Sequence, residues 1–159
     1  MRDIDKILEL IAQKEEFFRR YEEETNKLVV SAPDEWEKFL RIRQGIIDQI
    51  QALDKKIELI LLNFEKEYAA QIVQALKVAC SRSELPEELL PVFDASQKIC
   101  AYAHRAQRAE YIMADRIESE MENLSEKIKQ TNRSVDAKAA KYNVGFSSYS
   151  ANGFLRGKA

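Results

Sequence analysis

The sequence predicts an all-α fold: an antiparallel three-helix bundle or coiled coil with a short first helix, two long helices that form a protruding hairpin arm, and a loose C-terminal tail. Three observations carry that prediction. Only 4 Gly and 3 Pro punctuate 159 residues, 33% of the residues are charged and 45% hydrophobic, and apolar side chains recur at steps of three and four over long stretches. A sandwich or an α/β fold of this length needs many more turns than so few breakers supply. One domain is the default at this size, and it can bury a core without disulfides or metal.

The first helix is predicted over residues 3–30, where Ile4, Leu8, Ile11, Phe18, Tyr21 and Leu28 make a stripe interrupted near Glu15 and Glu22. A capping box is then read at Ser31, with Asp34 reaching back, and Pro33 suits only a first turn. The second helix is predicted over 32–81, through Trp36, Leu40, Arg43, Ile47, Ile50, Leu53, Ile57, Leu61, Phe64, Tyr68, Ile72, Ala75 and Ala79, with Gly45 as an interior cost and Asn63 the point where continuity is open. Such a helix would be about 75 Å long. The segment from Ser81 to Pro91 holds two of the three prolines and reverses the chain.

A third helix is predicted over 92–132, with Phe93, Ser96, Cys100, Ala103, Gln107, Glu110, Ala114, Ile117, Met121, Leu124 and Ile128 at heptad spacing. Laid antiparallel on the second, it opposes Cys100 to Ile72, Ala103 to Ala69 and Leu124 to Asp48, with alanines facing alanines. Residues 1–132 then form the bundle domain and 133–159 a mobile basic tail. The first helix can cover the second only from about Trp36 to about Leu61. The arm beyond is left with more apolar surface than one seam hides.

Charge is unevenly distributed. Residues 127–159 carry seven basic side chains against Asp136, a balance of +6, while residues 1–126 stand at −8. An acidic body disfavours nucleic acid as the main partner, although the tail keeps an adaptor role open. Cys80 and Cys100 are too few for a disulfide framework and read as reduced thiols. The acidic groups near Met1 and the lack of a long apolar run predict a cytoplasmic protein without membrane insertion.

No enzyme is expected. His104 is the only histidine, and it reads as a solvated or partner-facing side chain. Neither a catalytic triad, a metal-ligand set nor a phosphate loop can be assembled, so no cofactor is expected. Arg43, Gln107 and Glu110 at seam positions read as register-fixing polar residues. Trp36 reads as an anchor for the base.

The segment Lys14-Glu-Glu-Phe-Phe-Arg-Arg-Tyr-Glu-Glu-Glu, followed by a break and by Trp36-Glu-Lys-Phe-Leu-Arg-Ile-Arg-Gln-Gly-Ile-Ile-Asp-Gln-Ile, resembles the flagellar export chaperones of the FlgN/FliT kind. The likeness extends to the long third helix and the tail with Tyr142, Phe154, Arg156 and Lys158. It implies a cytosolic type III export chaperone that binds hook-associated or filament-cap subunits, prevents their premature assembly and brings them to the export gate. The residues expected to touch a protein partner are Phe64, Tyr68, Ile72, Leu76, Tyr102, Tyr111, Ile112, Tyr142, Phe146, Phe154 and Leu155. Core or dimer contact accounts for these aromatic groups equally well. The competing expectation is a homo-oligomeric structural coiled coil, a homodimer among its forms, with no export client.

Overall fold

Asp3 and Asp5 set carboxylates at the positive end of the first helix and Lys27 a cation at its negative end. Between them the apolar stripe winds into α1, Asp3–Val30, the span that the periodicity predicts. The structure, a computed structural model, describes residues 2–141, with side chains through residue 138. After α1 come α2 (Trp36–Leu61), α3 (Lys66–Lys77) and α4 (Leu90–Lys141), joined by single 3-10 turns at Pro33–Glu35, Arg82–Glu84 and Glu87–Leu89. The described residues contain no strand, and the fold is all-α.

The chain divides into two units, Met1–Met113 and Ala114–Ala159. In the first, α1 and α2 lie antiparallel, with Lys14 Nζ 2.6 Å from Asp54 Oδ1 and Trp36 Nε1 donating to the Ser31 carbonyl at 3.4 Å. The part of α4 in this unit runs parallel to α1. Val92 and Phe93 bury beside Ile4, Ile7 and Ile11, while Arg105 Nε reaches Glu22 Oε1 at 2.7 Å. Ala106, Ala109 and Met113 complete the buried face of this stretch.

The second helix is not the continuous rod expected over 32–81. It stops at Leu61, passes through Leu62-Asn63-Phe64-Glu65, and restarts as α3, with Glu65 in an extended conformation at the N-cap. Asn63 and Phe64 donate to Ile60 and Leu61 three residues back, the tightened bonding of a helix end. α3 then doubles back, so that Val73, Leu76 and Lys77 share a cavity wall with Asp54, Ile57, Glu58 and Leu61. The fold-back carries Ile72 and Ala75 into one cluster with Ile4, Ile7, Ile11, Ile57, Leu89, Val92 and Phe93, with Phe64, Tyr68 and Leu76 packed against its edge. The apolar surplus expected along an arm is therefore buried internally at this end of the unit.

Three smaller expectations are corrected with it. Ser31 Oγ donates to the Leu28 carbonyl and closes α1, leaving no side-chain cap on the turn or helix that follows. A capping box forms instead at Ser81 and Glu84. The register that set Leu124 opposite Asp48 is replaced by one in which Glu110 bonds Arg43, because α3 no longer prolongs α2. Finally, α4 starts at Leu90, where Pro91 in the first turn forfeits no helical bond. It continues beyond residue 132 to Lys141, as Ala137, Lys138, Ala139 and Ala140 favour. The rest of the expected tail, 142–159, lies outside the described residues.

α3 ends on Val78 at φ 52°, ψ 41°, where the Val78 and Ala79 amides donate to Ala75 and Gln74. That is the bonding of a Schellman cap with a β-branched residue in the left-handed region, at a cost of about 1–2 kcal/mol. Packing of the Val78 side chain against the core cluster offsets it.

Ile7 is fully buried, so Ile7→Ala should lower stability by about 2–5 kcal/mol in urea unfolding. A loss under 1 kcal/mol would show that the cluster is not the core. Gly45 lies within α2, and a Cβ there meets nothing within 4 Å. Gly45→Ala should therefore raise stability by about 0.5–1 kcal/mol in the same measurement.

Candidate functional site

Two features of the described residues remain after the core is accounted for, a polar layer across the first unit and an apolar stripe on the second. In the layer, the helices bring together Tyr21 from α1, Arg43 from α2 and Glu110 from α4. Arg43 Nη2 donates to Tyr21 Oη and to Glu110 Oε1, and Tyr21 Oη donates to Glu110 Oε1. The guanidinium also stacks on the Tyr21 ring, 4.6 Å from its centroid. The Arg43 side chain is only 11% exposed, and its Nε has no hydrogen-bond partner among the described residues. Burial, then the hydrogen bond to Glu110, raises the Tyr21 pKa above the ordinary phenol value.

A shallow groove beside this layer is lined by Phe18, Tyr21, Cys100, Ala103, His104, Gln107 and Glu110. His104 and Gln107 are exposed, and Cys80 and Cys100 are half-buried free thiols. No nucleophile there is paired with a base. Among the described residues no three His, Cys, Asp or Glu side chains gather as a metal site, and no helix is long and apolar enough to cross a membrane.

The residues expected to hold a partner are dispersed. Ile72 is fully buried, and Phe64, Tyr68 and Leu76 are half-buried against the same core. Tyr68 Oη donates to Glu88 Oε2 at 2.8 Å, and burial together with that bond pushes its pKa up to about 12. Tyr102 is half-buried beneath Arg105, whose guanidinium carbon lies 4.9 Å from the ring centroid. Tyr111 and Ile112 are open to solvent, at 67% and 55% exposure. Tyr142, Phe146, Phe154 and Leu155 lie outside the described residues.

The stripe lies in the second unit. Ile117, Met121, Leu124, Ile128 and Val135 succeed one another on α4 at steps of four, three, four and seven, the spacing of a coiled-coil seam. Met121 is 67% and Leu124 55% exposed, and no second element of that unit is among the described residues. The seam was legible in the heptads of the third helix. Sequence reasoning read it as the cover of α2 and so omitted it from the partner surface; the signal against that was the shortness of α1.

No protein-family model, curated protein or solved structure matches the chain.

A tyrosine whose pKa is higher in the folded state holds its proton longer when folded. Its contribution to stability is whole below about pH 10 and is lost as pH rises through the folded value. Tyrosinate absorbance should show late ionisation for Tyr21 and Tyr68, each late step disappearing in Tyr21→Phe or Tyr68→Phe. Titration of every tyrosine near pH 10 would contradict both bonding arrangements. Tyr21→Phe should also cost about 1–2 kcal/mol, since it removes the hydroxyl that bonds two charged groups.

Proposed function

We propose that the protein is a helix-binding chaperone whose receptor surface is the stripe from Ile117 to Val135 on α4. The observation that carries this reading is the exposure of Met121 and Leu124 on a seam-spaced face. Such a face takes up an amphipathic helix from another protein, the helix-in-groove mode, with every third or fourth apolar side chain of the client entering the seam. The absence of an assembled acid, base and nucleophile among the described residues leaves binding as the chemistry the surface supports.

The resemblance of the first two helices to the FlgN/FliT chaperones names the client class. On that reading the protein is a cytoplasmic type III flagellar export chaperone: it occupies the helical surface of a hook-associated or filament-cap subunit, blocks premature assembly and hands the subunit to the export gate. The buried positions of Ile72 and its neighbours move the expected client contact from the α3 region to α4. Tyr111 and Ile112 remain accessible in the first unit for a separate contact.

The test is calorimetry of the full chain against purified hook-associated and filament-cap subunits. A complex should form, and Met121→Glu combined with Leu124→Glu should weaken it at least about tenfold, because each introduced carboxylate must be desolvated in the seam. Circular dichroism should be unchanged, since neither side chain belongs to the buried core. Failure of every such subunit to bind would sink the export reading, and full affinity in the double variant would remove the stripe from it.

A further inference from the structure

We propose that the second unit pairs with its counterpart in another copy of this chain, antiparallel and about a two-fold axis level with Glu126. The proposal concerns what covers the stripe when no client is present, and it does not rest on the export reading.

The first argument is charge. Residues 114–126 carry Asp115, Glu118, Glu120, Glu122 and Glu126 against Arg116, a net −4, while residues 127–141 carry Lys127, Lys129, Arg133, Lys138 and Lys141 against Asp136, a net +4. Two such segments laid parallel set like halves side by side; laid antiparallel, each acidic half meets a basic one. A second copy is thus the partner whose charge order is guaranteed to be complementary.

The second argument is register. From Ala114 to Lys138 the steps of three and four never break, and they are symmetric about residue 126. Antiparallel pairing there sets Leu124 against Ile128 of the second copy, Met121 against its Thr131, Ile117 against its Val135 and Ala114 against its Lys138. Every layer joins one position of the heptad to the complementary one, as antiparallel seams require. Thr131 is suited to its layer because its hydroxyl already donates to the Lys127 carbonyl at 2.9 Å, which leaves the methyl group for the seam. The small Ala114 leaves room for the Lys138 stem to lie across it and carry its ammonium to water.

The third argument is a missing partner. Asn132 Nδ2 is shielded from solvent and has no hydrogen-bond partner among the described residues. Antiparallel pairing sets Asn132 on the same flank as Glu118 of the second copy, whose carboxylate can accept from that amide. One like-charge approach results, Lys127 beside its own mate at the axis, where both long side chains can swing outward.

Sedimentation equilibrium of the native full chain, without client, should give twice the monomer mass, and Leu124→Glu should return it to the monomer. Orientation is read by disulfide capture in a chain carrying Cys80→Ser and Cys100→Ser. Chains with I117C alone and chains with V135C alone should each stay uncrosslinked, and their mixture should form the crosslinked pair. A monomer at every concentration overturns the proposal, as does homotypic crosslinking of I117C, which requires parallel helices. A chain that dimerises only after removal of residues 142–159 also overturns it, by assigning the stripe to the chain's own end. None of these outcomes bears on client binding, which is measured separately.

Discussion

Ile4, Ile7 and Ile11 occupy one face of α1, and the end of α2, the inner face of α3 and the start of α4 together remove them from solvent. Most other features of the first unit follow from that burial. A continuous helix through Asn63 would keep its backbone bonds, each worth about 1 kcal/mol net. It would carry Phe64, Tyr68, Ile72 and Leu76 away from the isoleucines. Breaking the helix forfeits roughly three or four such bonds, whereas each large apolar side chain returned to a core gains about 1.5–3 kcal/mol when fully covered. The turn at Leu62–Glu65 is the cheaper arrangement, even with Leu62 left 79% exposed at its corner.

The polar layer fixes what the apolar contacts leave free. Leucine and isoleucine seams tolerate a slide of one heptad, because each shifted layer still finds an apolar partner. Arg43 does not. Its guanidinium, largely shielded from water, is satisfied only where Tyr21 and Glu110 arrive at the same level; at any other register it would be a buried charge without a counterion. The groups that weaken the core chemically therefore specify its alignment. They also explain why α4 is drawn against α1 and α2 up to Met113, with Ala106 and Ala109 supplying the close approach.

The helical class, the bounds of α1 and the polar character of the seam at Arg43 and Glu110 were legible in the sequence. The break in the second helix was not, and the reason is geometric. Leu61, Phe64, Tyr68 and Ile72 keep steps of three and four across Asn63, so the stripe holds its phase while the chain reverses direction. Periodicity reports which face is apolar and is blind to where the axis points. Only Asn63, a weak helix former, marked the position. The capping box was misplaced for a related reason: Ser31 and Ser81 stand in similar local patterns, but the Ser31 hydroxyl donates back to the Leu28 carbonyl while the Ser31 carbonyl accepts from Trp36 Nε1. The apolar surplus expected along an arm is instead buried internally by the fold-back, while Met121 and Leu124 of α4, read as covered by α2, are exposed.

An exposed seam of this length is an aggregation hazard unless its geometry limits what it can join. A uniform charge pattern would let copies associate in any offset, and an offset pair leaves ends free to recruit further chains. The division of α4 into an acidic stretch up to Glu126 and a basic one after it limits that freedom, since parallel pairing sets like halves side by side and each heptad of offset uncovers apolar layers at the ends. The same division constrains any client. A helix running parallel to α4 must present basic groups first and acidic groups later; one running antiparallel must present the reverse order. In the proposed complex the stripe would supply affinity without direction and the charge order would supply direction, so a client helix with the right spacing but the wrong polarity would be repelled along its whole length.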